Sequence, residues 1–152
     1  MHKTILFLLS ILASANSICT AQILTDSEAA FSQSRSEKKP ILLIFSGSDW
    51  CAPCIQFERK VLTDSSFLNQ AKQLVVLLKA DFPQRKQLSA THQAANNGLA
   101  EAYNPEGSFP KIVVLDTRQK AVATIQAANQ TPATLIDALT RLLLHASAHA
   151  PH

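Results

Sequence analysis

An α/β fold, with helices flanking a mixed four-stranded sheet, is what this 152-residue sequence predicts, and three observations carry the prediction. Short apolar runs at 41–45, 74–78 and 112–115 are too short for independent helices and read as buried strands. The stretch joining the first two is long enough for a helical crossover, which makes that pair parallel and the connection right-handed. Asp116-Thr117-Arg118-Gln119 is a short turn that leads into an alternating fourth strand, 121–125, so the last two strands form an antiparallel hairpin.

The elements follow in order. Thr25 and Glu28 have the spacing of a capping box, which opens a short helix to about Ser36 before Lys39-Pro40 breaks it. After the first strand, residues 52–62 read as a helix with Cys54, Phe57 and Val61 on one stripe. Thr63-Asp64-Ser65-Ser66 interrupts it and recaps a second short helix over 67–73. Polar residues 84–92 read as loop, and 93–103 as a helix weakened by Asn96-Asn97-Gly98. Asn104 begins a loop leading to Phe109-Pro110 and the third strand. Thr131-Pro132 supplies a cap and a first-turn proline for a last helix over 133–145, with Leu135, Leu139 and Leu142 on one face.

Composition places the chain among ordinary globular proteins, at 47% hydrophobic and 16% charged residues. The net charge of +3 is thinly spread, so no nucleic-acid partner is expected. The first residues differ in kind. Met1-His2-Lys3 is a positive start, 4–15 is apolar, and Cys19-Thr20-Ala21 resembles a cleavage site. That order reads as a signal peptide over 1–21, giving an exported, periplasmic protein that begins at Gln22. The alternative is lipidation of Cys19, the one route by which a membrane tether is expected. A single domain over 22–146 and a disordered tail over 147–152 complete the division.

Cleavage at Ala21 leaves two cysteines, Cys51 and Cys54, in Trp50-Cys51-Ala52-Pro53-Cys54. Two cysteines three apart at a helix start lie one turn from each other, close enough to bond. Cys51 falls where free backbone N–H groups and the helix dipole favour a thiolate, the species that attacks disulfides. Cys54, on the buried stripe, is suited to resolve the mixed disulfide. Pro53 costs little in a first turn, whose N–H groups have no helical partner. Zinc is not expected, since four ligands are needed and the mature chain has no second cysteine pair. A purely structural disulfide explains neither Trp50 nor Phe109-Pro110, and closing so short a loop constrains little of the unfolded chain. His145, His149 and His152 read as solvated residues, as do Asp49 and Lys79.

Gly47-Ser48-Asp49-Trp50-Cys51-Ala52-Pro53-Cys54 resembles the active site of exported bacterial proteins of the thioredoxin-like family. The likeness continues through Phe57-Glu58, Val61, 77–83, Phe109-Pro110 and 113–116, covering most of 26–126. The resemblance implies a thioredoxin fold, with Cys51 attacking and Cys54 resolving, supported by Ala52 and Pro53. It also implies a cis peptide before Pro110, with Trp50, Phe109 and Pro110 binding substrate, and no cofactor. Two departures accompany it. Phe45 stands where thioredoxins carry a buried acid, leaving Glu58 or Asp81 as candidate substitutes, and Lys111 stands where many relatives have threonine.

The expected reaction is dithiol–disulfide exchange between Cys51/Cys54 and client proteins bearing disulfides or thiols, carried out by a monomer. Proline at position 53, where oxidising relatives often have histidine, points to a reductase fed by an electron donor that the sequence does not name. The alternative is a non-enzymatic thioredoxin-fold binding or metal-delivery module. Two thiolates suit Cu(I), but Met1, the single methionine, leaves with the leader, so no thioether cluster supports copper.

Overall fold

The computed structural model describes residues 22–148; the expected leader, Cys19 and the last four residues lie outside them. Four strands, β1 (Ile41–Ser46), β2 (Val76–Asp81), β3 (Lys111–Leu115) and β4 (Ala121–Ile125), form one sheet in the order β2-β1-β3-β4. β1 pairs parallel with β2 and antiparallel with β3, and β3 pairs antiparallel with β4. The mixed sheet is the predicted one. Leu24 extends it by a single bridge beside Leu78, donating to the Leu77 carbonyl at 2.9 Å.

Five helices cover the sheet: α1 (Ser27–Glu37), α2 (Ala52–Phe57), α3 (Ser65–Leu74), α4 (Ala90–Tyr103) and α5 (Pro132–Ala148). Alternation along the central strand explains why β1 is apolar at every core position. Leu42 and Ile44 pack with Phe57, Val61 and Phe67 and with Leu135 and Leu139 of α5. Ile41, Leu43 and Phe45 face the other way, onto Phe31 of α1 and Leu99 of α4. Both faces are dry, as a strand flanked by helices on two sides requires.

Several boundaries differ from the sequence reading. The first helix is capped by Asp26, whose carboxylate accepts the Ala29 N–H at 3.1 Å, and not by Thr25. Both residue types can cap, and the helix starts at Ser27, so Asp26 is the one that stands immediately before it. The apolar run at 74–78 is divided: Leu74 ends α3, while the strand starts at Val76 and continues to Asp81 opposite Ser46. The loop expected over 84–92 ends early, because Ser89 caps α4 through the His92 N–H. The helix expected over 52–62 is α-helical only to Phe57 and continues as a π turn, Glu58–Leu62, closed by Thr63 N–H on the Glu58 carbonyl. The last helix runs to Ala148, into the segment expected to be a disordered tail over 147–152. Alanine favours helix and no breaker precedes Pro151.

Candidate active site

The turn from β1 into α2 carries the cysteines. Cys51 is extended (φ −85°, ψ 98°) and caps α2: its carbonyl accepts the Ile55 N–H at 3.0 Å. Its sulfur accepts the Cys54 N–H at 3.3 Å. Cys51 and Cys54 are joined in a disulfide with their Cα atoms 5.2 Å apart. Ala52 and Pro53 form the exposed first turn between them, where a proline removes no helical hydrogen bond. Both cysteines are buried, the capping residue Cys51 slightly less so at 5% exposed against 1% for Cys54. A backbone donor facing a cysteine sulfur favours thiolate over thiol.

Trp50 precedes them, 40% exposed. Its indole lies against Gly47, where a Cβ would come within 2.7 Å of three ring atoms. The indole N–H donates to the Phe82 carbonyl at 2.7 Å, and the ring meets Phe109 edge-on with centroids 5.5 Å apart. Phe109 in turn meets Phe82 edge-on at 5.5 Å, and Phe82 stacks on Phe45 at 6.5 Å. Phe45, at the position of the missing acid, is thus the buried end of an aromatic chain that surfaces at Trp50.

The Phe109–Pro110 peptide is cis. Its approach is held by Asn104, whose buried side chain donates to the Ser108 carbonyl and accepts the Ser108 N–H, each at 2.9 Å. Lys111 turns away from the cysteines: its ammonium donates to the Tyr103 carbonyl and pairs with Glu106, both at 2.7 Å. A cleft of about 480 Å³ runs between Pro53 and Phe109-Pro110, with Gln56 and Gln130 in its lining and Lys60 as its one charged lining residue.

The two carboxylates weighed as substitutes for the buried acid are both engaged. Asp81 accepts the Ser48 N–H at 2.9 Å and the Ser48 hydroxyl at 2.6 Å. Glu58 pairs at 2.9 Å with Lys79, which is largely buried rather than solvated as its sequence position indicated. Asp49 stays partly open to solvent, as its sequence position indicated, and is engaged as well. Its carboxylate accepts the Gln84 N–H at 2.8 Å and the Arg85 N–H at 2.7 Å. These bonds, the Gln84 N–H foremost, hold the Asp49 carboxyl below its ordinary pKa. No local signal marks such a role, because the partners lie more than thirty residues downstream and only β1–β2 pairing brings them near. Among the described residues, no group of three or more His, Cys, Asp or Glu is arranged to hold a metal ion, and no helix is long and apolar enough to cross a membrane.

Residues 22–117 match the thioredoxin-like family. The chain belongs to that family. This thioredoxin-like protein is 34% identical, over 94 residues that make up 62% of its chain, to the disulfide bond reductase DsbH of Chlamydia pneumoniae. It is 24% identical over 119 residues, 78% of its chain, to the thioredoxin-related protein DsbJ of the same organism. The matched regions span 56% and 34% of those two relatives. Among solved structures it superposes on a DsbH oxidoreductase with a TM-score of 0.73 at 28% identity, covering 88% of this chain and 92% of the other. A Thermus thermophilus thioredoxin shares the fold at a TM-score of 0.60 and 16% identity, covering 83% and 95%. The mixed sheet, its flanking helices and these likenesses together make the fold that of thioredoxin.

Proposed function

We propose that this protein is an exported thiol–disulfide oxidoreductase that works as a reductase of client proteins. The observation that carries the reading is the Cys51–Cys54 disulfide at a helix cap, with Cys51 slightly the less buried of the two and its sulfur already facing a backbone donor. The thiolate of Cys51 attacks one sulfur of a client disulfide; an S–S bond forms between protein and client, and the other client sulfur leaves as a thiolate and takes up a proton. Cys54, deprotonated, then attacks the Cys51 sulfur and expels the second client thiol. The client gains two electrons and two protons, and the protein is left as the disulfide seen here. A dithiol donor must return it to the reduced state.

Trp50, next to Cys51 in the chain, and Phe109 and Pro110, which share a cleft with Pro53, are assigned to client binding, with Ala52 and Pro53 shaping the turn between the cysteines. The likeness to a relative named a disulfide bond reductase supports the reducing direction, as does proline at position 53. Export rests on the leader pattern of residues 1–21.

Trapping tests the roles of the two thiols. Cys54→Ser should accumulate mixed disulfides with clients, whereas Cys51→Ser should accumulate none; the reverse pattern would exchange the two assignments. Direction is read from the reduction potential, by titration against glutathione or dithiothreitol. It should lie nearer the value of about −270 mV typical of thioredoxin than the −120 mV of the oxidant DsbA. A value near the latter, with fast oxidation of reduced peptides, would make the protein an oxidase.

A further inference from the structure

Asp49 is the residue whose contacts the redox chemistry leaves unexplained. It lies two positions before Cys51, yet both of its carboxylate oxygens are spent on another loop, on the N–H groups of Gln84 and Arg85. The same loop contributes the Phe82 carbonyl, which holds the Trp50 indole. Asp81, at the loop's start, accepts from both the N–H and the hydroxyl of Ser48. Five hydrogen bonds therefore join residues 48–50 to residues 81–85, and all of them sit beside the cysteine turn. Asp81 holds the near end of the loop, at the sheet. Asp49 holds the far end, just beyond the carbonyl that anchors the indole.

We infer that Asp49 is a positioning residue: by clamping the Gln84 and Arg85 amides it fixes the Phe82 carbonyl, and through it holds Trp50 against Phe109 in the orientation that receives a client. The inference rests on the redox reading above and adds a determinant of client docking to it.

A carboxylate suits the task because it is an acceptor on both oxygens and can take two N–H donors at once. An asparagine offers one acceptor and turns an NH₂ group toward the second amide, so one arm is lost and replaced by a clash of donors. Trp50 is unprotected against such a loss. With 40% of its surface exposed it has limited burial to hold it, and beyond its bond to the Phe82 carbonyl the indole meets the ring of Phe109 and the bare backbone of Gly47. The sulfurs are insulated from the change: the capping bond of Cys51 comes from Cys54, and the Cys51 N–H is held by the Gly47 carbonyl at 3.0 Å. The effect should fall on docking and leave the thiol chemistry alone.

Trp50 is the single tryptophan of the chain, so its fluorescence reads the indole directly. The experiment compares the full chain with its Asp49→Asn and Asp49→Glu variants in acrylamide quenching, in insulin reduction with dithiothreitol as donor, and in redox titration. Asp49→Asn should be quenched more readily and should raise KM for insulin about five- to tenfold, the size expected from one ordinary hydrogen bond's net contribution. Its kcat and reduction potential should stay within twofold and within error, and Asp49→Glu should recover part of both changes. Should Asp49→Asn fail to fold, Gln84→Pro removes one donor of the same clamp without touching the carboxylate, and the same KM rise is expected. Quenching identical to the parent's overturns the inference, as does a loss confined to kcat or potential. The two failures are distinguishable: a parent chain that leaves insulin's disulfides intact defeats the redox reading, whereas variants that turn over and quench like the parent defeat the positioning role alone.

Discussion

Gly47 and Trp50 show how a single missing side chain shapes the site. The indole occupies the space that any Cβ at position 47 would need, so the glycine serves close approach and not backbone freedom. Gly47→Ala should push the ring off its seat and cost stability by about 1–3 kcal/mol, the usual penalty for overpacking. A urea midpoint would register the cost, and a red-shifted Trp50 emission would show that the ring had moved; an unchanged spectrum would show that the backbone gives way instead. Lys111 makes the complementary point. Its ammonium, bonded to Tyr103 and Glu106, braces the segment that leads into the cis peptide, so the residue that departs from the family's usual threonine still has a structural use here.

Element boundaries were decided by which candidate cap oxygen actually reaches a free N–H. Thr25 and Glu28 have capping-box spacing, but the oxygen that reaches a free N–H belongs to Asp26. Asp26→Ala should therefore lower stability by about 1 kcal/mol, while Thr25→Ala should change it by no more than about 0.5 kcal/mol. Urea denaturation of the two variants checks this, and equal losses would return the cap to Thr25. The same competition operates between α3 and β2. Asp64 caps α3 through the Phe67 N–H at 2.7 Å, and the helix it starts runs on through Leu74, taking the first residue of an apolar run that otherwise reads as strand. The π turn after α2 widens the helix directly behind the cysteines and brings Val61 and Leu62 together into the core.

For the molecule as a whole, acid is the condition most directly legible in its electrostatics. Asp49 is held below its ordinary pKa chiefly by the Gln84 amide, Glu37 by its hydrogen bond with Lys39, and Glu106 by its hydrogen bond with Lys111. In each case the folded value lies under the unfolded one, so as pH falls the unfolded chain takes up protons first. The contributions are complete at neutral pH and are lost as pH drops below the ordinary carboxylate values, 4.5 for the two glutamates and 3.8 for Asp49. Urea midpoints should be flat from pH 7 to 5 and fall only slightly by pH 3, since all three carboxylates are open to solvent, and Glu106→Gln should make that fall shallower. A midpoint that rises toward pH 3 would contradict the sign. The core should be indifferent to this range, because the two clusters packed against the sheet are apolar and no described buried side-chain polar atom lacks a partner.

Apolar run length, the spacing of Cys51 and Cys54, the turn at 116–119 and the capped last helix were enough to determine the sheet, its mixed pairing and the redox pair, because each depends on residues close together in the chain. Phe45, Phe82, Phe109 and Trp50 forming one aromatic chain, and Asp49 and Ser48 being tied to 81–85, were decided only by the tertiary structure. Those contacts bridge segments that meet through the parallel pairing of β1 with β2 and the antiparallel pairing of β1 with β3. A polar residue in a loop carries no local mark of its partner. Hydrophobic periodicity reports which way a side chain faces the core; it does not report which distant amide a carboxylate will find once the strands have brought two loops together.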